Sequence, residues 1–269
     1  MIKRYIYIVS FLAVLSSCTS EKEVVIPMPD YENEPVIECY LQPGRNYRLT
    51  LTRSVPYLSE SNISEDPNAI VTINYQGSID TLHYFPHFDT LSGNYYNYYS
   101  PKTVPFDFNS SFYLHIIDKN GKEITANTRL IQPVKIDSVE FIYNDRNLSY
   151  PQIYFKDNPT TANFYRYMVK RDSLHEAVVT DLITDDKLLE SELVVLGGRP
   201  RFEPWDPVFI ILYHLTREHY EFLMSTREAR SANGNPFSQP SQIRSNIKGA
   251  IGIFTGLAYD MKVLPATTP

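Results

Sequence analysis

Cysteine occurs only at positions 18 and 39 of this 269-residue chain, and that scarcity removes whole classes of chemistry. Two cysteines cannot build a thiolate metal cluster, and once one is engaged elsewhere no intrachain disulfide is possible. Basic clusters are also missing. The 25 Lys and Arg are outnumbered by 31 Asp and Glu, for a formal charge of −6, which argues against nucleic acid and against electrostatic adhesion to anionic lipid. No Gly-x-Ser-x-Gly elbow and no His-Glu-x-x-His occurs, so the common local signatures of hydrolases and metalloproteases are absent. After the N-terminal stretch no second long apolar segment follows, and a spanning helix would need about 20 such residues. Glycine is scarce at ten residues, whereas proline (19), tyrosine (21) and phenylalanine (14) are abundant. That balance favours strands separated by proline-marked turns over packed helices.

What is present begins at the N-terminus. Met1-Ile2-Lys3-Arg4 is basic, residues 5–15 are apolar, and Leu15-Ser16-Ser17 leads into Cys18. Charge, apolar core and small residues at the cut, in that order, are a secretory signal over residues 1–17. Leu-Ser-Ser-Cys resembles the lipobox of bacterial lipoproteins, in which the cysteine is acylated and becomes the new N-terminus. Removing 17 of 269 residues leaves 252; Lys3 and Arg4 leave with them, so 23 basic residues face 31 acidic, a formal charge of −8. Membrane attachment would then rest on the lipid at Cys18, at about 0.8 kcal/mol per buried methylene. Residues 18–34 mix acids, prolines and small residues without a period and read as an extended tether. The acids after the cysteine resemble a surface-export signal of Bacteroidetes lipoproteins.

From Pro35 onward strands dominate. Tyr47, Leu49 and Leu51 alternate with Arg48, Thr50 and Thr52, the period of a half-buried strand, and Ala69, Val71, Ile73 and Tyr75 repeat it. Residues 111–118 and 122–130 flank Asn120-Gly121 and read as a hairpin, because Asn-Gly supplies the positive φ that a tight turn demands. We expect a mainly β protein of two β-sandwich-like domains: an immunoglobulin- or transthyretin-like one over 35–133, and a β-rich one over 134–265. The second carries one helix near 217–232, with Thr216 as N-cap, Tyr220, Leu223 and Met224 as its buried stripe and Gly234 as its stop. Cys39, within Val36-Ile37-Glu38-Cys39-Tyr40-Leu41, reads as a small buried residue of a strand.

Four stretches carry a resemblance. They are Pro35-Val36-Ile37-Glu38-Cys39-Tyr40-Leu41; Leu49-Thr50-Leu51-Thr52-Arg53-Ser54 with Pro56-Tyr57; residues 155–167 (FKDNPTTANFYRY); and Ser245-Asn246-Ile247 followed by Gly249-Ala250-Ile251-Gly252-Ile253-Phe254. Together they resemble the Bacteroidetes lipoproteins grouped as domain of unknown function 4249, over nearly the whole mature chain. Cys39 departs from the glycine expected there. Members are often encoded beside TonB-dependent outer-membrane receptors. The resemblance implies location and architecture, and none of the matched positions is a catalytic site of that family.

Asn246-Ile247-x-Gly249-x-x-Gly252 lacks the following helix and the Lys-Ser/Thr of a phosphate loop, and glycines beside a strand more often permit a bulge or close backbone approach. His83 and His87 are separated by Pro86, which blocks a shared helical face, and His115, His175, His214 and His219 have no carboxylate partner at zinc-ligand spacing. Asp157-Asn158 and Asp185-Asp186 read as turns rather than calcium loops. We therefore expect no catalytic residue, no metal site and no cofactor.

Aromatics are the feature suited to recognition. Tyr95-Tyr96-Asn97-Tyr98-Tyr99 would place Tyr95, Asn97 and Tyr99 on one face of a strand and Tyr96 and Tyr98 on the other. One face is then core, and the other is either covered by the protein's own second layer or meets a glycan or peptide ligand. Trp205, the one tryptophan, lies in Pro204-Trp205-Asp206-Pro207, a loop before a strand, and carries the same two readings. Thr81, Thr90, Ser138 and Ser173 each follow an aspartate and precede an apolar residue, resembling the Asp-Ser/Thr-apolar acceptor of Bacteroidetes O-glycosylation. The expectation that results is a non-enzymatic, lipid-anchored binding protein at the outer membrane, on the cell surface, accessory to a TonB-dependent receptor in nutrient capture. A fimbrillin-like adhesin or structural surface subunit is the alternative.

Overall fold

The computed structural model describes residues 33–55, 64–90, 93–187, 192–232 and 242–266. The expected signal segment, Cys18, almost all of the tether, Pro56-Tyr57 and Gly234 lie outside the described residues. The described chain is mainly β, with one helix and several sheets in a sandwich-like arrangement. In chain order the strands are β1 (Pro35–Leu41), β2 (Asn46–Arg53), β3 (Ser64–Glu65), β4 (Ile70–Tyr75), β5 (Ser78–Asp89), β6 (Asn94–Thr103), β7 (Ser111–Ile117) and β8 (Glu123–Arg129). There follow β9 (Ser138–Tyr143), β10 (Ser149–Lys156), β11 (Phe164–Arg171), β12 (Val178–Asp185), β13 (Leu193–Leu196) and β14 (Pro207–Leu215). Helix α1 (Arg217–Ala232), β15 (Ile247–Lys248), β16 (Ile251–Gly256) and β17 (Ala258–Pro265) complete the described elements.

The first sheet has the order β15-β8-β7-β4-β5-β6-β2-β1-β16, with β3 paired to β2. Its strands form because alternate residues are apolar. On β2, Tyr47, Leu49 and Leu51 are buried, while on β8 Ile124 and Ala126 point in and Thr125 and Asn127 point out. The Asp118–Lys122 turn between β7 and β8 is tied by the Asp118 carboxylate, which accepts from the backbone N–H of Asn120 and Lys122 at 2.8 and 2.9 Å, and Gly121 takes φ 79°. Both halves of the sheet face one core, in which Ile37, Leu49, Val71, Tyr98, Leu114, Ile124 and Phe254 are buried together.

The second module is a three-on-four sandwich: β13-β10-β9 faces β12-β11-β14-β17. Its own core joins Ile153, Phe155, Tyr165, Tyr167, Val194, Ile210 and Leu212. Residues 247–256, read in the sequence as part of the second domain, return to the first: β15 pairs with β8, and β16 runs parallel to β1. Hydrophobic burial explains the return, since Ile247 and Phe254 belong to the first core. Leu257 alone separates β16 from β17, and its N–H donates to the Leu41 carbonyl at 2.8 Å, so the two modules share a seam at the end of β1.

Helix α1 spans the expected residues, and Thr216 caps it by accepting from the His219 N–H at 3.2 Å. The buried stripe is His219, Phe222 and Ser225 rather than the expected Tyr220, Leu223 and Met224, which are half-buried. The helix lies against β16 and β11, and the buried Ser225 oxygen accepts from the Arg244 N–H at 2.9 Å.

Candidate functional site

The tyrosine run forms the first half of β6, and there the expected alternation fails. Asn97 is fully buried, and its amide replaces part of the strand ladder: Oδ1 accepts from the Leu51 N–H and Nδ2 donates to the Leu51 carbonyl, both at 2.8 Å. On β5 the register slips between Tyr84 and His87, where Phe85 and Pro86 supply the extra residue. The result re-sorts the rings. Tyr98 enters the first core, as its position predicts. Tyr96 instead lies on the opposite face, under the Arg48 guanidinium at 4.6 Å and beside His87 at 5.8 Å. Arg48 belongs to that outer face because its neighbours Tyr47 and Leu49 point inward, and Asp89 closes an ion pair with it.

Two aromatic groupings follow from this geometry. On the outer face Phe85, His87 and Tyr99 contact one another at ring separations of 5.6 to 6.2 Å, and Phe85 is 60% exposed. At the neighbouring edge Tyr84 and Tyr95 both donate to Glu65, at 2.5 and 2.6 Å, beside the 60% exposed Phe88 paired with Tyr95. Burial alone would raise the Glu65 pKa, but hydrogen bonds from Tyr84, Tyr95 and Asn97 outweigh it and hold the carboxyl below its usual range. Tyr95 is pushed up to about 12 by burial and then by Glu65. The Tyr84 and Tyr95 hydroxyls are thus held, while Phe85 and Phe88 are exposed.

The outer face continues to the seam. Tyr40 on β1 sits 5.6 Å from the His219 ring and donates to Glu38 at 3.1 Å. Across the seam Arg166, Tyr213 and Tyr259 are in register on β11, β14 and β17, on the face away from the second core. Gln42 Nε2 donates to the Tyr259 hydroxyl at 3.1 Å, and Asp181 takes Arg166 in two bonds of 2.8 and 2.9 Å. Burial, then the Arg166 charge, drives His219 down to about 3, and burial drives Tyr213 up to about 12. His219 Nδ1 is buried without a hydrogen-bond partner among the described residues.

Trp205 stands apart from the tyrosines. It is 68% exposed, at the third position of the Glu203–Asp206 turn with φ 74°, where glycine is the usual residue. Its N–H donates to the Ala266 carbonyl at 2.7 Å. His214, near the other end of β14, bonds Gln132 of the inter-module connector, so Trp205 lies a strand length, about 27 Å, from the seam.

Thr81, Thr90 and Ser138 are exposed and Ser173 is half-buried. Cys39 is fully buried, with its thiol pushed up by desolvation. Gly249 and Gly252 serve backbone approach: a Cβ on Gly249 would meet the Glu123 carbonyl at 3.0 Å, and one on Gly252 the Ile37 carbonyl at 1.8 Å. Asn246 holds the same segment by bonding Phe254 N and O at 2.9 and 2.7 Å. Reading the sequence missed Arg48, Glu65, Tyr84, Phe85, Phe88 and Tyr40 as members of the site. One signal was available: His83-Tyr84-Phe85-Pro86-His87-Phe88 sets aromatics around a proline, the mark of a bulged strand.

None of the curated proteins compared matches the chain. Among solved structures, a chain described as "Cytokine receptor complex - Crystal form 1A" is similar at 10% identity and a TM-score of 0.27, covering 68% of this chain and 86% of that one. A second, "Cytokine receptor complex - Crystal form 2", is similar at 11% identity and a TM-score of 0.28, covering 68% and 93%. The sequence of residues 21–262 matches one family over most of the chain, and the protein belongs to that family, described as Domain of unknown function (DUF4249).

Proposed function

We propose that this chain is a lipid-anchored binding protein of the outer membrane, facing the cell surface, that serves a TonB-dependent receptor in nutrient capture and carries no catalytic centre of its own. The observation that carries the binding role is the set of exposed aromatics on β5 and β6, Phe85 on the outer face and, on the other face, Phe88 beside Tyr95, whose hydroxyl is held by Glu65. Rigid, amphipathic rings of this kind lose little entropy on contact and suit glycan or peptide ligands. The anchor is Cys18 in Leu15-Ser16-Ser17-Cys18, the acidic composition supports no nucleic-acid role, and Thr81, Thr90, Ser138 and Ser173 are the proposed O-glycan acceptors.

The test is co-purification from detergent-solubilised native membranes, with and without Cys18→Ala. A TonB-dependent receptor recovered with the wild-type chain, and lost with Cys18→Ala, is the expected result. Recovery of SDS-resistant ladders of the chain itself, with no receptor, would instead establish the adhesin or structural-subunit alternative. That alternative needs a strand free for exchange between subunits, whereas β1 is already held between β2 and β16.

A further inference from the structure

Strand β17 ends the order β12-β11-β14-β17, so it has a strand neighbour on one side only. Its ladder with β14 fixes which backbone groups face outward. The Ala266 N–H donates to the Asp206 carbonyl at 2.9 Å, and Pro207 and Pro265, paired next along, have no N–H to exchange. Hydrogen-bonded pairs alternate in an antiparallel ladder, so Val208–Leu264, Ile210–Lys262 and Leu212–Asp260 carry the bonds. The intervening Met261 and Val263 turn N–H and C=O away from β14, and among the described residues no hydrogen bond meets them there. The side chains of Met261, Val263 and Leu264 are 36%, 50% and 36% exposed.

Both ends of this open stretch are defined. Toward the seam the Asp260 carboxylate accepts from the Ile136 N–H at 3.0 Å and pairs with Lys135 at 3.2 Å, so the inter-module connector closes the edge there. At the far end Pro265 offers no donor, and the exposed Trp205 stands beside it, its N–H bonded to Ala266. Residues 261–265 between them span about 17 Å. By contrast, β15 is an edge of two residues, and on edge strand β12 Arg227 donates to the Asp181 carbonyl at 3.5 Å.

Two features choose the occupant. Backbone donors and acceptors at alternate residues are satisfied together by another extended backbone. Lys262 is the one charge on the stretch, and its Asp260 partner, 3.9 Å away, is already engaged by Lys135. It favours a carboxylate on the added strand and repels a basic one. A second copy in the register that sets Lys262 opposite Lys262 is disfavoured for that reason. A twofold contact of five residues also falls short of the roughly 1,200 Å² of a stable pair.

We propose that residues 261–265 receive an extended segment of a protein partner as an added strand, with an acidic side chain opposite Lys262 and apolar ones opposite Met261 and Val263. The inference stands on this edge and does not depend on the aromatics of β5 and β6. The test titrates the full-length lipidated chain in detergent micelles into fluorescein-labelled STVEVTS, whose valines flank one glutamate, with STVKVTS as comparator. STVEVTS binds saturably in the millimolar range or below, and STVKVTS at least fivefold more weakly. With STVEVTS bound, the Met261 and Val263 amides slow at least tenfold in hydrogen exchange. Val263→Pro removes an outward donor while sparing the β14 ladder, and weakens STVEVTS at least tenfold. Lys262→Glu leaves the backbone intact and reverses the order of the two peptides; it decides the matter if urea midpoints show Val263→Pro unfolded. The inference is overturned if STVEVTS does not saturate, if both peptides bind alike, if Lys262→Glu leaves their order unchanged, or if folded Val263→Pro binds as tightly. Dimers in sedimentation velocity that Val263→Pro abolishes would assign the edge to a second copy and overturn it too.

Discussion

Gly252 lies opposite Ile37 in the parallel pairing of β16 with β1, with φ 136°, and a Cβ on it would stand 1.8 Å from the Ile37 carbonyl oxygen. The returning strand is thus seated at van der Waals limits on the first strand of the fold. Gly252→Ala adds both a backbone clash and a conformation that side chains rarely adopt, and we expect it to cost about 3 kcal/mol or more, a large share of the roughly 5–15 kcal/mol that holds a native protein folded. Gly77→Ala is the control: φ is 80°, nothing lies within 4 Å of the new Cβ, and a loss of about 1 kcal/mol is expected. Urea midpoints measure both. Equal losses in the two variants would show that close approach at Gly252 plays no part.

Asn97 makes a second structural demand. Its side chain supplies a donor and an acceptor to Leu51 inside the first sheet, so Asn97→Leu leaves the Leu51 N–H and C=O buried and unpaired. The loss should be about 2–4 kcal/mol. Because Asn97 also sets which face Tyr96 occupies, the variant should disturb the Arg48–Tyr96 stacking as well. Urea denaturation and the near-ultraviolet tyrosine dichroism would report the two effects separately. An unchanged aromatic spectrum together with full destabilisation would limit Asn97 to a stability role.

These two positions mark where a one-dimensional reading stops. Tyr47, Leu49 and Leu51 announced β2, and Asn120-Gly121 announced its hairpin, because both signals are local and periodic. Thr216 located the helix for the same reason, yet the apolar spacing misjudged its face, which buries His219, Phe222 and Ser225, the last bonded to the Arg244 N–H. The return of β16 to β1 pairs residues more than 200 apart, and a parallel pairing leaves no turn in the sequence to announce it. The tyrosine run was legible as a recognition element, but its division between faces depends on one asparagine and one proline-marked bulge. The seam carries no motif at all, because Tyr40, Arg166 and Tyr213 come together only through the docking of two sheets.

Acid should loosen that seam. Folded His219 has its pKa lowered from 6.5 to about 3 by burial and by Arg166, while the unfolded chain titrates normally. Above pH 6.5 both states are neutral and the contribution is complete. As pH falls from 6.5 towards 3 the unfolded state takes up a proton that the folded state refuses, and stability declines by up to about 1.4 kcal/mol per unit. Glu65, Asp107, Asp118 and Asp260, whose folded pKa values are depressed from ordinary values of 4.5 for Glu and 3.8 for Asp, lose their contributions mainly below pH 4.5, so the window from 6.5 to 4.5 is carried by histidine. His214 is also lowered and shares that window. His219→Gln should flatten the pH dependence of the urea midpoint between 6.5 and 4.5 and leave the His214 part. An unaltered slope would place the titration elsewhere.

Trp205 combines exposure with a backbone conformation that suits glycine, and the two together separate stability from recognition. Its ring is 68% exposed, so removing it forfeits little burial, and φ 74° costs a bulky residue about 1–2 kcal/mol. Trp205→Gly relieves that strain and adds back chain entropy of about 0.5–1 kcal/mol in the unfolded state. The net expectation is a variant as stable as the wild type or up to about 1 kcal/mol more so. We propose that a strained, exposed tryptophan at this turn tip is a partner contact of the second module. Receptor co-purification should therefore fall in Trp205→Gly while its urea midpoint holds or rises. Trp205→Phe, strained in the same way but smaller, should retain part of the interaction. If Trp205→Gly loses stability instead, the turn needs the ring for folding; if it keeps full receptor recovery, the ring serves no partner.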